Sequence, residues 1–141
     1  MVLSDIVSAR FKESSMRILK TKAFNRWADN EGLTDQVLTE AVDDMEQGLI
    51  DATLGGHVYK KRVALPGRGK RGSSRTLLAY RSGDKAFFIF GFAKNERVNI
   101  SAKELKSLKL LASELLGYSN QTLDKAIKVN ELIEIKVQEN E

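Results

Sequence analysis

The chain has 141 residues and a formal net charge of +4, with 42% apolar and 30% charged residues. This length and composition are typical of one globular domain with a single modest core. The chain has no cysteine, which excludes disulfides and thiolate chemistry. The lack of a long apolar run or signal-peptide core predicts a cytoplasmic protein that does not enter a membrane.

The first half of the chain predicts a strand followed by two helices. Residues 16–21 form the strand. Apolar residues then recur at helical spacing over residues 22–30, and Gly32 ends that helix. Thr34 caps a second helix, whose apolar stripe extends to Leu49.

After Gly55-Gly56 the apolar period changes from helical to alternating, which predicts strands at residues 57–65, 75–81 and 86–93. Residues 66–74 form a glycine-rich basic loop between the first two of these strands. In the last strand Phe88, Phe90 and Phe92 are predicted on one face, and Phe87 and Ile89 on the other. A strand that is apolar on both faces is typically central and buried, so we expect these phenylalanines to pack in the core rather than to stack on bases.

The C-terminal third predicts two more helices. Ser101 and Glu104 form a capping box that starts the first, which ends at Gly117. Asn120 caps the second, which extends to Val129, and residues 132–137 are extended.

The element order is therefore β-α-α-β-β-β-α with a C-terminal appendage. It predicts an α+β fold with a small, twisted, antiparallel-rich sheet and helices packed on one face. We divide the chain into an N-terminal extension (1–15), a main domain (16–117) and a helical and extended appendage (118–141). The extension either precedes a native start at Met16 or is a loose amphipathic segment.

Charge is segregated along the chain. Residues 29–51 contain Asp and Glu but no Lys or Arg, whereas residues 57–81 contain Lys and Arg but no Asp or Glu. A basic section without interspersed acids indicates a polyanionic partner. The acidic second helix would be repelled by phosphate, which argues against a helix-turn-helix.

Strand alternation groups the cations. Lys60 and Arg62 are two residues apart and leave the same face of the sheet, roughly 7 Å apart. Arg75 and Arg81 also share a face on the next strand. Unpaired cations are costly to bury, so this face is expected to be open to solvent or to a polyanion.

RNA cleavage by a 2′-hydroxyl needs a base, an acid and positive charge near the phosphate. Lys60 or Lys61 could transfer the proton, because neighbouring cations favour the neutral form of a lysine. Arg62 and Arg75 would stabilise the phosphoryl oxygens. Spacing alone leaves open that all four residues only bind phosphate.

The chain lacks the residues that other mechanisms of catalysis need. With His57 as the single histidine and no cysteine, neither a zinc site nor a two-histidine ribonuclease can form. We therefore predict no metal and no cofactor. His57 itself is either a substrate contact or an ordinary surface histidine at a strand end.

Four segments together resemble RelE/HigB-like toxins: Val58-Tyr59-Lys60-Lys61-Arg62, the loop 66–72, residues 73–81, and Phe90 to Arg97. The resemblance covers about residues 16–116. It implies a microbial-ribonuclease-like fold and metal-independent cleavage of mRNA in the ribosomal A site. It also implies neutralisation by a cognate antitoxin encoded nearby, with operator DNA bound only through that antitoxin.

Carried over by position, Lys60 and Arg62 match the paired basic residues of the catalytic strand, and Arg75 matches the phosphate-stabilising arginine. Lys94 and Arg97 match the basic end of the last strand. The residues expected to contact RNA are His57, Arg68, Lys70, Arg71, Arg81, Lys94 and Arg97. All of these except His57 are expected to hold the RNA backbone.

This chain departs from the family pattern at two positions. Asn95 stands where RelE has a catalytic arginine, and Ser101, a helix cap, stands where it has a late catalytic tyrosine. Two alternatives to a nuclease therefore stay open: a ParE-like inhibitor of DNA gyrase, and a non-catalytic adaptor on the same fold.

Overall fold

The computed structural model describes residues 16–67 and 72–136. In this part of the chain the strands are β1 (Arg17–Thr21), β2 (Ala52–Gly55), β3 (Val58–Ala64), β4 (Ser73–Arg81), β5 (Lys85–Ala93) and β6 (Leu132–Ile135). The helices are α1 (Lys22–Glu31), α2 (Asp35–Glu46), α3 (Ala102–Leu116) and α4 (Asn120–Lys128). The predicted α+β class is confirmed.

Local capping signals determine where the helices begin. The Thr34 side chain accepts a hydrogen bond from the Val37 N–H at the start of α2. The Ser101–Glu104 capping box at the start of α3 is present in both directions. For α4 the predicted cap was wrong by one residue, because Ser119 accepts the hydrogen bond from the Thr122 N–H.

The six strands form one sheet in the order β2-β3-β4-β5-β1-β6. Neighbouring strands are antiparallel except β1 and β5, which are parallel. This confirms an antiparallel-rich sheet. Strand β2 was not predicted. It forms a hairpin with β3 through Gly55, Gly56 and His57, all at positive φ, a conformation that glycine adopts at little cost.

The prediction that the helices pack on one face is wrong, because helices cover both faces. Helices α1 and α2 enclose a first core with Phe24, Leu38 and Phe88, while α3 and α4 enclose a second core with Phe87 and Leu115. The central strands β4 and β5 are apolar on both faces. Leaving either face in water would cost the burial free energy of several large side chains.

The predicted alternation of β5 is also interrupted. Leu77 of β4 pairs with Phe90, and Leu78 pairs with Phe88, so Ile89 is an extra residue in the ladder. A β-bulge of this kind reverses the facing of the residues beyond it. Phe88 therefore belongs to the first core, whereas Phe90 packs against the second.

The C-terminal elements continue the same sheet. Strand β6 pairs with β1, and Leu123 of α4 is buried in the second core. The division of the chain into a main domain (16–117) and an appendage (118–141) stays a prediction. No helix within residues 16–67 and 72–136 is long and apolar enough to cross a membrane.

Candidate nucleic-acid interface

Three strands bring cations and phenylalanines together in two adjacent rows. Arg62 of β3 pairs with Arg75 of β4, which pairs with Phe92 of β5. Two residues along, Lys60 pairs with Leu77, which pairs with Phe90. Directly paired residues project from the same face of a sheet, so both rows lie on the face that α3 covers further along the strands.

The three cations of these rows are accessible to a ligand. Arg62 is exposed, and Lys60 and Arg75 are half-buried. The Arg75 guanidinium donates to the Ser73 hydroxyl at 3.2 Å. Among the described residues, none of these three side chains forms a salt bridge with a carboxylate. Their positive charges are therefore not neutralised by the described part of the protein.

Side-chain hydrogen bonds hold β3 against its neighbours. The Asp51 carboxylate accepts from the Arg62 backbone N–H at 2.6 Å. The Ser74 hydroxyl donates to the Val63 carbonyl at 2.8 Å, and the Thr76 hydroxyl donates to the Lys61 carbonyl at 2.8 Å. These bonds fix the register that places Arg62 opposite Arg75.

Arg97 borders the phenylalanines of both rows. Its guanidinium carbon lies over the Phe90 and Phe92 rings, at 5.8 and 5.5 Å from the ring centroids. Its Nη atoms donate to the two oxygens of Glu104 at 3.1 and 2.5 Å, and its Nε donates to the Asn99 carbonyl at 3.0 Å.

The carboxylate that binds Arg97 also caps helix α3. Glu104 accepts from the Ser101 backbone N–H at 2.8 Å. The Arg97 hydrogen bonds, with those from Ser101, hold the pKa of Glu104 at about 2, below its usual 4.5. The hydrogen bonds to Glu104 also raise the pKa of Arg97. Both side chains therefore stay charged at neutral pH.

Two of the predicted site residues lie away from these two rows. Lys61 projects from the opposite face, where its ammonium lies 3.5 Å from the Asp44 carboxylate and donates to the Leu49 carbonyl at 3.0 Å. Arg81 is at the far end of β4, where it pairs with Asp84 at 3.2 Å.

The remaining predicted contacts divide into three groups. His57 is exposed in the β2–β3 turn, at the end of β3 away from Arg62. Lys94 is exposed just after β5, and its backbone N–H donates to the Ser73 carbonyl at 3.1 Å, which places it at the edge of the site. Arg68, Lys70 and Arg71 lie outside the described residues.

Sequence reasoning missed two features of the site. The bulge in β5 turns Phe90 and Phe92 toward the cations, and Glu104 binds Arg97 in addition to capping α3. The capping-box motif in the sequence predicts the role of Glu104 at the start of α3, but it does not predict the contact with Arg97. Asn95 lies exposed in the turn after β5, and no cluster of three or more metal-ligating side chains occurs among the described residues.

Comparison with known families gives one match. Residues 16–135 match the model of the RelE toxin of the RelE/RelB toxin–antitoxin system. This match covers most of the chain and includes every strand and helix described above. A search of curated proteins finds no match.

Proposed function

The chain belongs to the RelE toxin family, whose members are the toxins of a toxin–antitoxin system and generally inhibit translation, and we propose that it does so as an endoribonuclease that cleaves mRNA on the ribosome. The family implies a cognate antitoxin as its partner. The observation that carries the nuclease proposal is the pairing of Arg62 with Arg75 beside Lys60, on one accessible face and without described carboxylate partners.

The three cations divide the work of phosphodiester cleavage. Lys60 accepts the proton of the 2′-hydroxyl as the 2′ oxygen bonds to phosphorus. Arg62 and Arg75 bind the phosphoryl oxygens and stabilise the charge of the phosphorane. The bond from phosphorus to the 5′ oxygen then breaks, and that oxygen takes a proton from water. The hydroxide left behind takes the proton held by Lys60, which restores both the water and the base. The products are a 2′,3′-cyclic phosphate and a 5′-hydroxyl end.

This proposal assigns no metal, because the two guanidinium groups supply the positive charge that a metal ion would supply. It also assigns no role to Lys61, whose ammonium is held on the opposite face by Asp44 and Leu49. Lys94, at the edge of the site, extends the surface for the RNA backbone, and Arg68, Lys70 and Arg71 are proposed to continue it.

The experiment that tests the proposal is brief induction in bacteria, with growth followed and mRNA 5′ ends mapped with and without prior 5′ phosphorylation. The wild type should arrest growth and produce new ends within translated codons that are detected only after phosphorylation. The Lys60→Ala/Arg62→Ala variant should lose at least about 100-fold of this cleavage, the usual size of a lost acid–base contribution.

The matched control is Lys22→Ala/Arg26→Ala, which removes two exposed cations from α1 on the other side of the sheet. It should arrest growth like the wild type. Arrest with intact mRNA would contradict the nuclease and favour a ParE-like action on gyrase. Absence of arrest would favour a non-catalytic adaptor.

A further inference from the structure

Arg97 was expected to hold the RNA backbone, but its contacts are unsuited to binding a phosphate. Three of its N–H groups already donate to Glu104 and Asn99. Its charge is paired with a carboxylate that stays ionised at neutral pH. An incoming phosphate would compete with this carboxylate and be repelled by it.

The same contacts suit the recognition of a flat, uncharged group. The planar guanidinium is fixed at its edge by the two Glu104 oxygens and lies over the rings of Phe90 and Phe92. Its side chain is still 36% exposed. Guanidinium planes supported in this way are surfaces on which unpaired nucleobases stack.

The position of this surface relates it to the proposed phosphate site. Phe92 is the direct cross-strand neighbour of Arg75, and neighbouring strands are about 4.8 Å apart. A nucleotide whose phosphate contacts Arg62 and Arg75 would therefore carry a base within reach of Arg97.

We propose that Arg97 is a stacking platform for a nucleobase next to the phosphate bound by Arg62 and Arg75, and that Glu104 is the positioning residue that holds the platform flat. This inference rests on the proposed function, because it takes single-stranded RNA as the ligand. It adds a contact to the base at a position where the sequence predicts a contact to the backbone.

The test is equilibrium binding of the full chain to short RNA, which does not depend on cleavage. The probes are end-labelled, 2′-O-methylated hexanucleotides with an abasic residue at each position in turn, and Kd is measured by fluorescence anisotropy. For the wild type, removing the base at one position should raise Kd about tenfold, as expected for a lost stacking contact. The variant Arg97→Lys keeps the charge but loses the plane, so it should bind all the probes with similar Kd.

Salt dependence distinguishes a platform from a phosphate contact. The variant Arg97→Ala/Glu104→Gln removes both charges of the pair, and glutamine can still serve in the capping box. If Arg97 is a stacking platform, this variant should lose the increase in Kd that an abasic residue causes (the abasic effect), while the slope of log Kd against log salt stays unchanged. A phosphate contact predicts that this slope falls by about 0.7. The control Arg26→Ala, on α1, should keep the abasic effect of the wild type.

The platform is overturned if Arg97→Lys retains the abasic effect, if no position shows one in the wild type, or if the double variant loses salt slope. Failure of every hexanucleotide to bind also overturns it. Cleavage is judged separately by the mapping of mRNA 5′ ends, so a nuclease without a platform gives new 5′ ends but no abasic effect.

Discussion

At the scale of single residues, Glu46 shows how one carboxylate can join a helix to a turn of the sheet. It lies at the end of α2 and accepts hydrogen bonds from the Tyr80 hydroxyl, from the Ser82 hydroxyl at 3.0 Å and from the Gly83 N–H at 2.9 Å. Burial, together with the Glu46 bond, raises the pKa of Tyr80 to about 12. Helix α2 is thereby tied to the end of the strand that carries Arg75.

We expect Tyr80→Phe to lower the free energy of unfolding by about 1–3 kcal/mol at pH 7, because the bond to a charged acceptor is lost. A pKa raised in the folded state stabilises the protein below the unfolded value near 10, and this contribution is lost as the pH rises through about 12. Urea unfolding at pH 7, 9 and 11 should show the difference between wild type and variant shrinking at the highest pH. A difference that is the same at all three would contradict this role.

At the scale of elements, the contact of α1 with β5 depends on a missing side chain. The Trp27 ring of α1 lies against Gly91 of β5, and a Cβ at this glycine would be 2.3 Å from Trp27 Cζ3. Real Cβ atoms do not approach another carbon so closely, so the helix can only pack here because residue 91 is glycine.

Gly91→Ala should therefore destabilise the protein by about 1–3 kcal/mol through overpacking. Combining it with Trp27→Leu, which shortens the opposing side chain, should recover part of that loss. Thermal unfolding followed by circular dichroism would compare the two single variants with the double variant. Additive losses in the double variant would show that the two residues do not compete for the same space.

At the scale of the whole molecule, β6 connects the two cores. Ile135 is buried in the first core and Leu132 in the second. The strand also pairs with β1, whose Arg17 donates to Glu134 at 2.8 Å. Like β4 and β5, β6 thus contributes residues to both sides of the sheet. The two cores should therefore unfold together.

We expect Leu132→Ala to lower the free energy of unfolding by about 2–5 kcal/mol, the usual cost of truncating a buried leucine. Fluorescence of Trp27, the single tryptophan, reports on the opposite face. It should give the same shifted denaturant midpoint as circular dichroism, while Glu131→Ala, an exposed neighbour, should leave the midpoint unchanged. A normal Trp27 transition in Leu132→Ala would show that the two faces unfold independently.

The local features of the fold were predictable from the sequence. The caps at Thr34 and Ser101 and the alternation over residues 57–65 depend on groups a few residues apart. The structure confirms both caps and has a strand over Val58–Ala64 of that segment. The grouping of Lys60 with Arg62 on one face follows from the two-residue period of a strand. The family resemblance was also carried by short motifs, and the family match confirms it.

Only the tertiary structure decided which distant residues meet. The pairing of Arg62 with Arg75, the bulge that turns Phe90 and Phe92 toward them, and the Arg97–Glu104 contact depend on strand register and on where α3 packs. The placement of Lys61 on the face opposite the site and the packing of helices on both faces of the sheet have the same origin. These features depend on the balance of burial over the whole sheet, which joins segments far apart in the chain, and no local pattern of residues encodes that balance.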